Sequence, residues 1–274
     1  MDNKTEDKIT QKIAEKIYDD TASPALQEVG GFFAAITGFF NHVVAAPLHR
    51  LNAKFKIKTE AYIRNLYEEY QKIPENHRQE PSINIIGPTL EALKYELDEE
   101  ELSEMFTNLL LSSMDDRIES KCHPAYVKII TQMNAKDAIV LKGIFQRRNA
   151  PFAMVKPKCA IDLNYQGKKL SGYHIHTDKF PELYIGDIGN LTPFEISKSL
   201  YNLNRLGIIE INKTFALRND FFDIYKQLIE SDTIKNIYSQ LDTTSFPGCR
   251  LDFDKGSIHF TEFGRDFAES VIKD

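Results

Sequence analysis

Residues 192–211 read Thr-Pro-Phe-Glu-Ile-Ser-Lys-Ser-Leu-Tyr-Asn-Leu-Asn-Arg-Leu-Gly-Ile-Ile-Glu-Ile, an order that predicts a capped helix turning directly into a strand. Thr192 stands at the cap, Pro193 takes the first helical position, where a missing N–H costs nothing, and Glu195 puts an acid in the first turn. Ile196, Leu200, Leu203 and Leu206 carry the helix to a stop at Gly207. Ile208, Ile209 and Ile211 then form a strand, Ser257–Thr261 predicts a second, and a closing helix carries Phe263, Phe267 and Val271. Helix, strand, returning strand and closing helix are the parts of a winged helix. Between the two strands, Phe221, Tyr225 and Leu228, then Ile234, Ile237 and Leu241, predict further helix instead of a simple wing. Upstream, Ala135–Phe145 predicts a helix, and Phe152–Leu163 with Leu170–His176 predict a hairpin turned at Gly167.

Working towards the N-terminus, the pattern is helical. Ala125–Met133 predicts a helix that follows a turn at Cys122, His123 and Pro124. Before it, Leu102, Met105, Phe106, Leu109 and Leu110 form an apolar face behind an acidic run, Asp98 to Glu101 and Glu104. Acids there read as a solvated face and first helical turn before they read as a cation site. Pro81 and Pro88 bracket a stretch expected to be extended, with a helix starting at Pro88 and carrying Leu90, Leu93 and Leu97. Tyr62, Ile63, Leu66, Tyr70 and Ile73 predict a helix capped by Thr59 and stopped by Pro74. The expected fold is mainly α with a smaller α+β part: a helical N-terminal body plus a winged-helix-like C-terminal domain. Its expected divisions are a polar arm and apolar/basic helix over 1–58, a helical body over 59–133, and the winged-helix-like domain with an inserted hairpin over 134–274.

The segment Val29–Leu48 has no formal charge. Phe32, Phe33, Ile36, Phe39 and Phe40 lie on one helical stripe, while Gly30, Ala34 and Gly38 stand four apart and let another helix approach closely. Arg50, Lys54, Lys56 and Lys58 follow before the next acid, Glu60. Two readings stand. One is a core helix of a bundle or of a homodimer; the other is a helix lying on anionic lipid with a basic collar holding the headgroups. Nine Val, Ile, Leu and Phe residues contribute roughly −3 to −5 kcal/mol to insertion, which Asn41, His42, Pro47 and the glycines offset, so a constitutive span is not expected.

The chain has 274 residues, 34 Lys plus Arg against 40 Asp plus Glu, and a net charge of −6, an ordinary globular profile that excludes disordered and polytopic membrane classes. That balance gives no concentrated basic surface for sequence-independent nucleic-acid binding. Lys198, Asn202, Asn204 and Arg205 on the 192–206 helix are the candidates for a recognition helix; the bases are few, so nucleic acid is the weaker partner expectation and stays open. Lipid, self-association or a protein partner rank ahead of it. Cys122, Cys159 and Cys249 form no Cys-x-x-Cys pair and fit a reducing cytoplasm, and residues 1–20 lack the apolar core of a signal peptide. The expected location is cytoplasmic, peripheral to the inner membrane on the lipid reading.

No catalytic set emerges. His174 and His176 share a strand face with Asp178 nearby, two ligands without a third at defined spacing. Cys122 and His123 are adjacent, a spacing that rarely lets side chains meet. No Gly-rich phosphate loop is present. Neither metal nor cofactor is expected.

Several of these residues together resemble the abortive-infection alpha family of bacteria, a domain of unknown function. They are Leu102, Met105, Phe106, Asn108, Leu109, Leu110, Ser112, Ser113, Met114 and Asp115, then His123, Pro124, Tyr126, Ile129 and Ile130. The similarity is strongest over residues 60–145, where Asn84-Ile85-Ile86-Gly87-Pro88 precedes them, and looser over 29–48. The resemblance implies phage defence, in which an infected cell stops growing or dies before new virions leave. It implies no particular chemistry.

Overall fold

Why a segment becomes helix or strand is clearest where side chains close off backbone groups, and the computed structural model places those closures. It describes residues 53–147, 152–165, 167–175, 183–184, 188–213, 216–218, 222–239 and 249–273. The chain divides into a helical unit, which runs to Gln132 and takes in Glu269–Lys273, and a second unit, Met133–Ala268. The Val29–Leu48 segment and Arg50 lie outside the described residues.

The helical unit contains α1 (Ala53–Gln71), α2 (Ile83–Glu96), α3 (Glu100–Ser113) and α4 (Ala125–Ile130). α3 packs against α1, α2 and α4. Its apolar face is buried as expected, but from Met105 to Ser113 every residue is buried, because neighbours cover the helix all round. α1 contributes Ile63, Leu66 and Tyr70 to this core. Thr59 is not a cap: it lies inside α1, whose helical path already includes Ala53.

The expected extended stretch before Pro88 is also helix. Ser82 supplies the cap, its Oγ accepting from the Asn84 amide at 3.4 Å, and Pro88 sits inside α2. A proline there removes the partner of the carbonyl four residues back, and that residue, Asn84, is exposed, so water takes the place of the missing donor. The cap outweighed the proline.

In the second unit, α5 (Ala135–Phe145) leads to β1 (Phe152–Tyr165), β2 (Lys168–Ile175) and β3 (Leu183–Tyr184). Then come α6 (Pro193–Arg205), β4 (Ile209–Asn212), α7 (Phe222–Ile229), α8 (Asp232–Ser239), β5 (Cys249–Phe260) and α9 (Glu262–Val271). The sheet runs β2-β1-β5-β4, with β3 also on β1, and all its pairings are antiparallel. Gly167, at φ +75°, turns the β1–β2 hairpin, and Tyr165 pairs with Lys168. Pro157 falls between the β1 residues that pair β3 (Met154, Val155) and those that pair β2 (from Cys159), where a missing N–H disturbs neither ladder.

β5 begins eight residues earlier than the sequence pattern indicated, at Cys249 instead of Ser257. Leu251 and Phe253 alternate with Asp252 and Asp254, a period-2 pattern carried by acids on one side, and ten residues pair with β1 from Phe152↔Ile258 to Ile161↔Cys249. The helix, strand, strand and helix read from 192–211 and 257–271 are present as α6, β4, β5 and α9, with α7 and α8 between the strands. Mainly α with a smaller α+β part is the observed class.

Candidate functional site

The first turn of α6 is held by a dense set of side-chain bonds. Thr192 Oγ1 accepts from the Glu195 amide at 3.4 Å, and Glu195 Oε2 accepts from the Thr192 amide and hydroxyl, each at 2.8 Å. Lys136 of α5 closes on Glu195 Oε1 at 2.6 Å, and this ion pair with the Thr192 bonds holds the carboxyl down at about 2. A second capping box starts α5, in which Asn134 Oδ1 accepts from Lys136 and Asp137 amides and Asp137 Oδ2 accepts from the Asn134 amide at 3.0 Å.

These caps decide what the candidate recognition residues are free to do. Asn202 Nδ2 donates to the buried Asp137 carboxylate at 2.8 Å, tying α6 to the start of α5. Its Oδ1 accepts from Arg205 Nε and Nη2, at 3.1 and 2.8 Å. Asn204 Oδ1 accepts from the Ile211 amide at 3.1 Å and so ties α6 to the third residue of β4. Lys198 is exposed. Asn202, Asn204 and Arg205 are thus engaged by the domain's own structure, and Asp137, which the sequence reading passed over, holds Asn202 and through it Arg205.

Sequence reading also missed an outer stripe. Phe194, Lys198, Tyr201 and Arg205 recur at spacings of four, three and four, which places them on one face of α6, and all four are exposed. Lys213 Nζ lies 4.9 Å from the Tyr201 ring centroid and donates to the Tyr201 hydroxyl at 2.8 Å. The 3.6-residue period carries the stripe, and only exposure separates its aromatics from the core residues of the same helix.

Elsewhere, Lys54, Lys56 and Lys58 fall in the opening turns of α1. His174 lies in β2, and His176 and Asp178 are outside the described residues, among which no group of three or more metal-ligating side chains occurs. Cys122 donates weakly towards Ile118 O and Ser270 Oγ, and burial pushes its thiol up to about 11. His123 Nδ1 accepts from the Ala125 amide at 3.1 Å, so it serves the turn instead of the thiol. Asp115, buried, is gripped by Arg117 through Nε (2.8 Å) and Nη2 (2.6 Å), which holds its carboxyl below the usual range. A cleft of about 380 Å³ is lined by Phe222, Tyr225, Ile229 and Lys255, with the Lys255 ammonium over both rings. Another, of about 340 Å³, is lined by Ile139, Lys142, Arg147 and Ile188. Among the described residues no helix is long and apolar enough to cross a membrane.

The motif residues of α3 have a structural use. Asn108 Nδ2 donates to Val271 O at 3.0 Å and Ser112 Oγ to Ser270 O at 2.9 Å, so two side chains one helical turn apart take the final carbonyls of α9. No curated protein and no solved structure matches the sequence. The family model of abortive infection alpha matches residues 54–271, which includes α1, the α3 motif and the close of α9. The chain belongs to the abortive infection alpha family.

Proposed function

We propose that this protein is a phage-defence effector that works without catalysing a reaction and acts at a membrane surface, with the Val29–Leu48 segment as its apolar element. The observation that carries the reading is the junction of that segment with α1. Arg50, Lys54, Lys56 and Lys58 follow the apolar residues, and the last three stand in the opening turns of a helix whose later turns bury Ile63, Leu66 and Tyr70. Cations at the start of a core helix would tie lipid engagement to the helical unit. Phe32, Phe33, Ile36, Phe39 and Phe40 would enter the acyl region while the collar holds anionic headgroups, two signals of the kind that stable attachment requires. Family membership supports the defence role. The raised thiol of Cys122 and the turn-bound ring of His123 support a non-enzymatic action, since the one adjacent thiol–imidazole pair is set up for neither thiolate formation nor proton transfer between them.

The second unit we read as a winged-helix relative that contacts protein. Engagement of Asn202, Asn204 and Arg205 within the fold supports this over base reading.

Co-sedimentation with vesicles of phosphatidylcholine alone or with added phosphatidylglycerol tests the membrane reading. Binding is expected only to the anionic vesicles, and to be lost when Lys54, Lys56 and Lys58 are all changed to Glu. In cells, Phe39→Asp and Gly38→Leu should abolish phage protection in folded protein. Full protection in both variants, or equal binding to both vesicle types, overturns it.

A further inference from the structure

The exposed stripe of α6 calls for a partner of opposite character. Phe194 is 59% and Tyr201 43% exposed, large aromatic surfaces left to solvent, and Lys198, Arg205 and Lys213 stand between and beside them. From Phe194 to Arg205 the stripe covers about 16 Å of helix. The one acid in the helix's first turn, Glu195, is paired with Lys136. The stripe therefore presents positive charge and aromatic faces together, which suits carboxylates set around an aromatic ring.

That complement exists on the same chain. At the end of α2 and the start of α3, Glu91, Asp98, Glu99, Glu100 and Glu104 are exposed within nine residues of Tyr95, itself 70% exposed. Glu91 and Tyr95 lie one helical turn apart on α2. The crowding is real: burial, and after it the charge of Glu99, holds the Glu96 carboxyl above its usual range. The residues named on the first surface are cations beside exposed aromatic area, those on the second are carboxylates beside it, and the two signs are opposite.

We infer that the α6 stripe of one copy docks on the acidic, Tyr95-centred surface of a second copy, so that the protein self-associates head to tail. The two patches differ, so each contact joins unlike surfaces: reciprocal pairing closes a two-fold dimer, and one-way pairing propagates into a ring or a filament. Assembly of this kind is independent of the membrane reading and can hold whether or not lipid is bound.

Sedimentation velocity of the full-length protein tests it, at about 50 mM and about 500 mM salt, because screening should weaken a charge-matched contact. Wild type is expected to form dimers or larger assemblies at low salt and to dissociate at high salt. A basic-patch variant, Lys198→Glu with Lys213→Glu, and an acidic-patch variant, Glu99→Lys with Glu100→Lys, should each raise Kd roughly 100-fold, because each places like charges opposite one another. Arg205 is left intact because it is bonded to Asn202. Mixed in equal amounts, the two variants should assemble again, since the reversed stripe of one faces the reversed rim of the other; this also shows that both are folded. A monomeric wild type at low salt, undiminished assembly of either variant, or no assembly of the mixture overturns the inference. So does a monomeric protein that shifts duplex DNA in a Lys198-dependent way, which would assign the stripe to nucleic acid.

Discussion

The two units differ in how polar side chains reach their helix ends, although each also caps a start, Ser82 in the helical unit. In the second unit, polar side chains open helices: Asn134 with Asp137 starts α5, and Thr192 with Glu195 starts α6, in each case across three residues of sequence. In the helical unit they close one. Asn108 and Ser112 reach the last carbonyls of α9 across 163 and 158 residues. Helix starts are local agreements and can be kept by any neighbourhood; this helix end is a contract between distant segments, and it gives Asn108 and Ser112 of α3 a structural use at the close of α9. α9 contains both kinds of bond, since Thr261 Oγ1 accepts from the Gly264 amide at 2.8 Å at its start.

The hardest way to break that start is at Gly264. A Cβ there would meet Ile208 O at 1.8 Å and Ile208 C at 2.5 Å, backbone atoms already held by the Thr261 amide, whose bond to Ile208 O is 3.1 Å. Neither partner can yield as a side-chain tip could. Gly264→Ala is expected to cost about 4 kcal/mol or more, read from urea denaturation of the full-length protein. Against it stands Leu110→Ala in α3, fully buried, with an expected cost of about 3 kcal/mol from transfer and residual cavity. Equal costs would show that the α9 start has more slack than its backbone contact implies.

Next come the polar closures themselves. Asn108→Ala leaves the Val271 carbonyl without its donor in a buried setting and should cost about 2 kcal/mol. Asn134→Ala removes a cap at a surface helix start and should cost about 1 kcal/mol. Denaturation midpoints of the two variants compare the distant contract with the local one directly. A larger loss for Asn134 would reverse the ranking drawn here.

The same difference explains what was legible in the sequence. α5 and α6 were read with their ends because Thr192-Pro193, Gly207 and the apolar spacing all lie within a few residues. The hairpin at Gly167 was legible for the same reason. Where competing local signals met, the reading failed: Pro88 looked like a boundary, but the Ser82 cap six residues earlier had already set the helix. β5 was cut short because Asp252 and Asp254 masked its alternation, which a ten-residue pairing with β1 tolerates on its solvent side. Of the site, the positions of Asn202, Asn204 and Arg205 were legible, and their bonding was not: Asn202 is engaged from 65 residues away by an aspartate whose own sequence context advertises only a cap.

Proton titration of the α6 start sharpens the comparison without disturbing the core. Glu195 is held at about 2, against an ordinary 4.5, chiefly by Lys136 and then by the Thr192 amide and hydroxyl. A carboxyl whose pKa is lower in the folded chain contributes stability that is fully present above its unfolded value and is lost as pH falls through its folded value. The contribution of Glu195 should therefore be constant above pH 4.5 and fade between 4.5 and about 2. Asp115 and Asp232, also held low, titrate in the same acid region and would blur the profile of the wild type alone. They cancel in the difference between wild type and Glu195→Gln, so the denaturation midpoints of the two should separate at neutral pH and converge towards pH 2. Lys136→Ala should give a similar convergence, because it removes the larger cause of the shift while leaving the Thr192 bonds in place. A gap between wild type and Glu195→Gln that persists unchanged to pH 2 would mean that the glutamate acts through its shape in the capping box and that its charge is idle.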